Sequence, residues 1–254
     1  MMVKNKMIET NLLCKSFIYD GEINNVIKNL DLTVYDGDFT VICGASGSGK
    51  STLLYSLSGM DAVTTGKVVL NGQDITKCKE KTLAKIRKEK IGFVFQGINL
   101  IDNLTVYENI LSPSYKTGRN KAQLENEVDE YLDKMGLKDH KKKFPNQLSG
   151  GQRQRVAIIR ALINHPDVIF ADEPTGALNS SQGQDVLDIF SKIHKEGQTI
   201  VMVTHDIKAA TRGNRVIYLK DGRIDGELNL CDYYEDDPKK REETVYHFLQ
   251  EKGW

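Results

Sequence analysis

The chain lacks a net charge: 35 Lys and Arg balance 35 Asp and Glu over 254 residues. No global basic field marks a nucleic-acid binder, and no acidic excess marks a solvated tail. Cysteine is sparse. Cys14, Cys43, Cys78 and Cys231 form no C-x-x-C pair, which speaks against a disulfide framework and a zinc site and fits a reducing compartment. Long hydrophobic runs are missing too. No window approaches the roughly 18–20 apolar residues a spanning helix needs, and Met1 to Lys6 show no apolar stretch of the signal-peptide kind. The expectation is a protein neither secreted nor embedded in a membrane, with any membrane contact running only through a partner.

What is present is 39% hydrophobic content, enough for one large domain or a domain with an insertion. Val41–Cys43, Ile91–Phe95, Val168–Ala171, Thr199–Val203 and Val216–Leu219 are short apolar runs separated by helical stretches. They predict buried parallel strands of an α/β sheet. Leu30-Asp31-Leu32-Thr33-Val34 and Lys67-Val68-Val69-Leu70 alternate more and predict an antiparallel sheet within residues 8–75. Leu124, Val128 and Leu132 recur at helical spacing, and Thr105 with Glu108 matches a capping box. The expected organisation is a single domain. Residues 8–96 and 164–228 form the core with its antiparallel β subdomain, 97–163 an inserted helical subdomain, and 229–254 a helical tail. In that tail Val245, Phe248 and Leu249 form a stripe that most simply docks on its own domain.

Gly44-Ala45-Ser46-Gly47-Ser48-Gly49-Lys50-Ser51 follows a strand and opens a helix at Thr52. This is the context in which small residues let backbone N–H groups wrap phosphate oxygens at a positive helix end. Lys50 is expected at the β and γ phosphates, and the Ser51 hydroxyl on Mg²⁺. The competing reading is a glycine-rich turn with a surface lysine. Val168 to Ala171 then lead into Asp172, the candidate on the metal side, and Glu173, the candidate general base. Without the phosphate loop this would read as a solvated strand end. Gln96 and His205 also close apolar strands and are candidates to converge on the same γ-phosphate. Ser149-Gly150-Gly151-Gln152 opens a helix with an apolar stripe at Val156, Ile159 and Leu162 or Ile163, a second anion-binding helix start without a lysine.

GASGSGKST, the glutamine of FVFQ, LSGGQ, ADEPTG and the histidine of VTHD occur in this order over nearly the whole chain. Together they resemble the ATP-binding cassette ATPase family. The resemblance implies a P-loop NTPase with a mostly parallel core sheet, an antiparallel β subdomain and an inserted helical subdomain, hydrolysing ATP with Mg²⁺. It implies a pair of cassettes, with ATP held between the phosphate loop of one and the LSGGQ loop of the other. The second cassette is then another copy or a homologue. By the same carry-over Phe17 stands where an aromatic ring, usually tyrosine, meets adenine, with Tyr19 the nearby alternative and Val26 flanking the base. Gln96 contacts Mg²⁺ and senses the permease, Ser149 and Gly151 contact the opposite γ-phosphate, and His205 orients that phosphate. Asn179 stands where the family commonly has Asp, which keeps the size and loses the charge.

The phrase FVFQ…NLI…LTVYENI resembles the macrolide-exporter and lipoprotein-release branch. The GALNS loop and the tail resemble ATPases of bacitracin and lantibiotic resistance exporters. This implies an integral-membrane permease as partner and a place on the cytoplasmic, inner face of the membrane. The aliphatics of residues 96–106 are expected in an exposed loop forming a groove for a permease helix, with packing inside the helical subdomain as the competing reading. A cassette that regulates a cell-wall hydrolase through a membrane partner is the alternative function. Action on DNA or ribosomes is disfavoured, since neither a long coiled coil nor a second cassette is present.

Overall fold

The computed structural model describes residues 4–115 and 117–254. The chain divides into two compact units, Met1–Ala84 with Phe190–Trp254, and Lys85–Ile189.

The first unit starts with β1 (Lys6–Tyr19), β2 (Glu22–Leu30) and β3 (Thr33–Tyr35), followed by β4 (Phe39–Cys43), α1 (Lys50–Leu57), β5 (Thr65–Leu70) and β6 (Gln73–Asp74). α2 (Glu80–Lys90) leads into the second unit. That unit holds β7 (Ile91–Val94), α3 (Val106–Leu111), α4 (Lys121–Lys134), α5 (Gly150–Leu162) and β8 (Val168–Asp172). α6 (Ser180–Lys195) leads back to β9 (Thr199–Val203), α7 (Ile207–Ala210), β10 (Arg215–Lys220), β11 (Arg223–Asn229) and α8 (Pro238–Glu251).

In the first unit an antiparallel sheet runs β2-β1-β5-β6, with β3 also on β1. A second sheet has the order β11-β10-β4-β9, with β10, β4 and β9 parallel and β11 antiparallel at the edge. Every residue of β4 and β9 is buried, as a continuous apolar run demands when both faces of a strand are covered. β11 instead alternates exposed and half-buried positions, which suits an edge. The tail docks within this unit. Val245 and Leu249 of α8 are fully buried, as is Arg241, whose guanidinium donates to the carbonyl oxygens of Thr211, Gly213 and Cys231 at 2.6, 2.6 and 2.9 Å.

In the second unit β7 and β8 pair in parallel. Gly92 lets α5 close on β7, because a Cβ there would lie 2.6 Å from the Ala161 carbonyl oxygen. Thr105 caps α3 in the expected box, with Glu108 accepting from the Thr105 N–H at 2.8 Å. Leu124, Val128 and Leu132 form the buried face of α4. Val156 and Ile159 of α5 and Ile163 at its C-cap are fully buried.

Among the described residues no helix is long and apolar enough to cross a membrane. Among the described residues no disulfide joins Cys14, Cys43, Cys78 and Cys231.

Candidate functional site

In the first unit the chain leaves β4 at Cys43 and wraps residues 44–49 before α1 begins. A side chain on Gly44 would place its Cβ 2.2 Å from the Leu219 carbonyl oxygen. Gly47 and Gly49 take φ of 80° and 101°, where a Cβ is resisted. Gly49 caps α1 without a side-chain hydrogen bond, so no capping side chain competes for the positive helix end that Lys50, Ser51 and Thr52 open. Lys50 is buried and donates to the carbonyl oxygens of Gly44 and Ala45 at 2.8 and 2.9 Å. The Ser48 hydroxyl is buried and has no hydrogen-bond partner among the described residues. A buried orphan in a loop of this shape fits a phosphate-bearing ligand that supplies the missing partner.

Val26 on β2 lies against the same loop, its Cγ1 3.2 Å from where a Cβ on Gly49 would stand. Phe17 lies on the β1–β2 ribbon, opposite Asn24, and is 42% exposed. β9 runs parallel to β4 with Val203 opposite Ile42, and the Thr204 N–H donates to the Ile42 carbonyl at 3.2 Å. The phosphate loop and His205 therefore leave the carboxyl edge of neighbouring strands, where open α/β sheets bind ligands. His205 is exposed, and Asp206 after it caps α7 by accepting from the Lys208 N–H at 2.9 Å.

The second unit gathers the other candidates. Val94 of β7 sits opposite Ala171 of β8, so Gln96 and the Asp172-Glu173 pair leave at one carboxyl edge. Asp172 is buried. Glu173 takes φ +46°, a conformation costing a non-glycine residue about 1–3 kcal/mol. The Gly176 N–H donates to the Glu173 carbonyl at 2.9 Å. A Cβ on Gly176 would stand 3.0 Å from Gln96 Nε2, so the glutamine lies against the loop of the carboxylates. In the first unit Ser51 offers a hydroxyl oxygen, and in the second Asp172 and Gln96 offer a carboxylate and an amide oxygen, each a hard donor of the kind Mg²⁺ takes.

Ser149 caps α5 in a box of its own. Its hydroxyl accepts from the Gln152 N–H at 3.3 Å, and Gln152 Oε1 accepts from the Ser149 N–H at 2.9 Å. Gly150 and Gly151 stand in the first turn of α5, where backbone N–H groups have no intrahelical acceptor. Both glycines also meet the start of α6. A Cβ on Gly150 would stand 3.2 Å from Leu178 Cδ2, and one on Gly151 3.2 Å from the Gln182 side chain. Asn179 accepts from the Gln182 N–H at 2.9 Å, a capping contact that Asn makes as well as Asp.

Two functional candidates escaped the sequence reading. Arg160 on α5 donates to the carbonyl oxygens of Ile98 and Asn99 at 3.0 and 2.6 Å, both residues of positive φ. Burial holds its pKa below the ordinary arginine value. Asn109 is fully buried. Its amide donates to Ile101, Leu104 and Thr105 carbonyls at 3.0, 3.0 and 3.1 Å and its oxygen accepts from the Ile101 N–H at 2.8 Å. These two side chains fold the segment after Gln96 inward. Ile98 is buried and Leu100 and Leu104 half-buried, so of the aliphatics expected in an exposed loop only Ile101, at 50%, is widely exposed. Beside this segment an open cleft of about 610 Å³ is lined by Tyr107, Leu111, Leu124 and Lys141, among others. Burial, with a 3.0 Å hydrogen bond to Glu125, pushes the Tyr107 phenol up to about 12.

A strand, a glycine loop carrying lysine and serine, and a second strand ending in paired carboxylates define a P-loop NTPase. The profile of the ABC transporter family matches residues 27–176. The lipoprotein-releasing system ATP-binding protein LolD of Aquifex aeolicus is 47% identical over 203 residues, covering 80% of this chain and 91% of its own. The bacitracin export ATP-binding protein BceA of Halalkalibacterium halodurans is 42% identical over 227 residues, covering 89% of this chain and 90% of its own. A dimeric structure of the ATP-binding cassette MJ0796, in a post-hydrolysis state bound to ADP and Pi, matches with TM-score 0.82 and 40% identity over 89% of this chain and 99% of that one. The chain belongs to the ABC transporter family and is one of its ATP-hydrolysing cassettes.

Proposed function

We propose that this chain is the ATPase subunit of a membrane exporter that removes antimicrobial peptides or related amphiphiles. It works as a pair of cassettes on the cytoplasmic face of an integral-membrane permease and meets the membrane only through that permease. The observation that carries this reading is the similarity to a bacitracin export ATP-binding protein over nearly the full chain.

The Lys50 ammonium and the N–H groups of residues 44–52 hold the triphosphate, while Phe17 and Val26 hold the base. Ser51, Asp172 and Gln96 would hold Mg²⁺, which when bound would neutralise negative charge on the phosphates. Glu173 accepts a proton from the water whose oxygen forms the new bond to the γ-phosphorus as the bond to ADP breaks. His205 orients that phosphate, and Ser149, Gly150, Gly151 and Gln152 close on it from the second cassette. Closure of the pair supplies the differential binding free energy that moves the permease, and hydrolysis resets it. The segment held by Asn109 and Arg160, with the neighbouring cleft, is the permease-docking face.

The test is to tag the chain, solubilise native membranes in mild detergent and identify what co-purifies in stoichiometric amount. The expected result is a permease with an extracytoplasmic domain, lost from the Leu104→Asp variant while ATP binding is kept. Recovery with ribosomes or DNA, or with no membrane protein, contradicts the reading. Equal loss of permease and ATP binding in Leu104→Asp removes the docking assignment.

A further inference from the structure

Phe17 is held by more than its strand. Lys15, two residues earlier and on the same face of β1, is only 7% exposed, and its ammonium stands 4.7 Å from the centroid of the Phe17 ring. That ammonium is itself fixed from elsewhere in the unit. It donates to the Asp61 carboxylate at 2.6 Å and to the Ala62 carbonyl at 2.7 Å. Asp61 follows α1, and its N–H donates to the Tyr55 carbonyl of that helix at 3.1 Å. Lys15 thus ties the aromatic ring to the far end of the helix whose other end carries the phosphate loop.

An ammonium against one face of a phenyl ring has two consequences. It leaves the opposite face as the one on which a base can stack. It also draws π density toward itself, which favours offset stacking by an electron-rich purine on that open face. A phenylalanine has no hydroxyl with which to anchor its ring, so packing and the cation are what hold it. Burying a lysine beside a single carboxylate is weakly favourable at best, so the Lys15–Asp61 pair is not explained by stability alone.

We propose that Lys15 is a positioning residue for nucleotide selection. It fixes and polarises the Phe17 ring so that the site takes an adenine base at a set distance from the phosphate loop. The proposal rests on Phe17 being the base platform, and its test separates the two. The purified full chain is titrated with ATP and with inorganic tripolyphosphate, which carries the phosphates and no base. Lys15→Met is expected to weaken ATP binding about three- to tenfold and to leave tripolyphosphate binding unchanged. Lys15→Arg keeps the cation and is expected to bind ATP as the original chain does. Lys15→Gln, which keeps a donor for Asp61 and Ala62 without the charge, carries the same expectation as Lys15→Met should the latter not fold. Phe17→Ala is the control and is expected to weaken ATP binding alone. If Phe17→Ala leaves ATP binding unchanged, the platform reading falls and this inference with it. If Phe17→Ala weakens ATP binding and neither uncharged Lys15 variant does, the inference alone falls. Equal weakening of ATP and tripolyphosphate by those variants overturns it too, by placing the effect of Lys15 on the phosphate helix.

Discussion

Lys50 donates to carbonyl oxygens of its own loop, those of Gly44 and Ala45. An ammonium held this way is set in place by the fold, so little side-chain freedom is lost when a phosphate arrives. Lys50→Ala removes the charge and is expected to weaken ATP binding roughly 10- to 100-fold, as loss of a charge-assisted hydrogen bond does. Titration of the purified chain with ATP checks it, and an unchanged affinity contradicts the role. At this scale the glycines and Lys50 were legible, because a loop that wraps phosphate needs positive φ and a cation at fixed spacing. Lys15, Arg160 and Asn109 were not. Arg160 bonds carbonyls 61 and 62 positions away, and Lys15 bonds partners 46 and 47 positions away, so no local pattern announces either. The strained φ of Glu173 is likewise invisible in the run of apolar residues that leads into it.

Among the elements, runs such as Val168–Ala171 and Thr199–Val203 were readable because strands covered on both faces need uninterrupted apolar residues. The apolar run Val216–Leu219 predicts a parallel strand, and β10 is parallel to β4, but its other edge takes β11 in antiparallel pairing. β11 escaped notice because its seven residues bury no position fully. The segment after Gln96 shows the limit of hydropathy: its aliphatics look exposed in sequence, and a single buried amide at Asn109 draws the loop in. The apolar stripe of α8 was legible, and Arg241 within it was not. Arg241→Met leaves the Thr211, Gly213 and Cys231 carbonyls without this donor, a loss of at least about 1.5–3 kcal/mol, the worth of one hydrogen bond to a charged group. The expected outcome is a Tm lower by on the order of 10 °C in thermal unfolding followed by circular dichroism. A shift within error of zero would show that the tail does not depend on this contact.

At the scale of the whole molecule, the order of the motifs made the cassette recognisable, since each occurs once and in sequence. The compact units were less legible, because the chain leaves the first at Ala84 and returns at Phe190, inside α2 and α6. No Pro- or Gly-rich linker marks either place. One chain carries one phosphate loop and one signature loop, and on the proposed mechanism each serves the other's partner in a pair. The central claim is that ATP drives two cassettes together and that Glu173 then takes the proton that permits hydrolysis. The most direct measurement is light scattering of the purified Glu173→Gln chain with Mg·ATP, alongside its rate of phosphate release. The account predicts a dimer mass that persists with ATP, and turnover reduced at least about 100-fold, as loss of a general base gives. A monomer with turnover close to that of the original chain would contradict it.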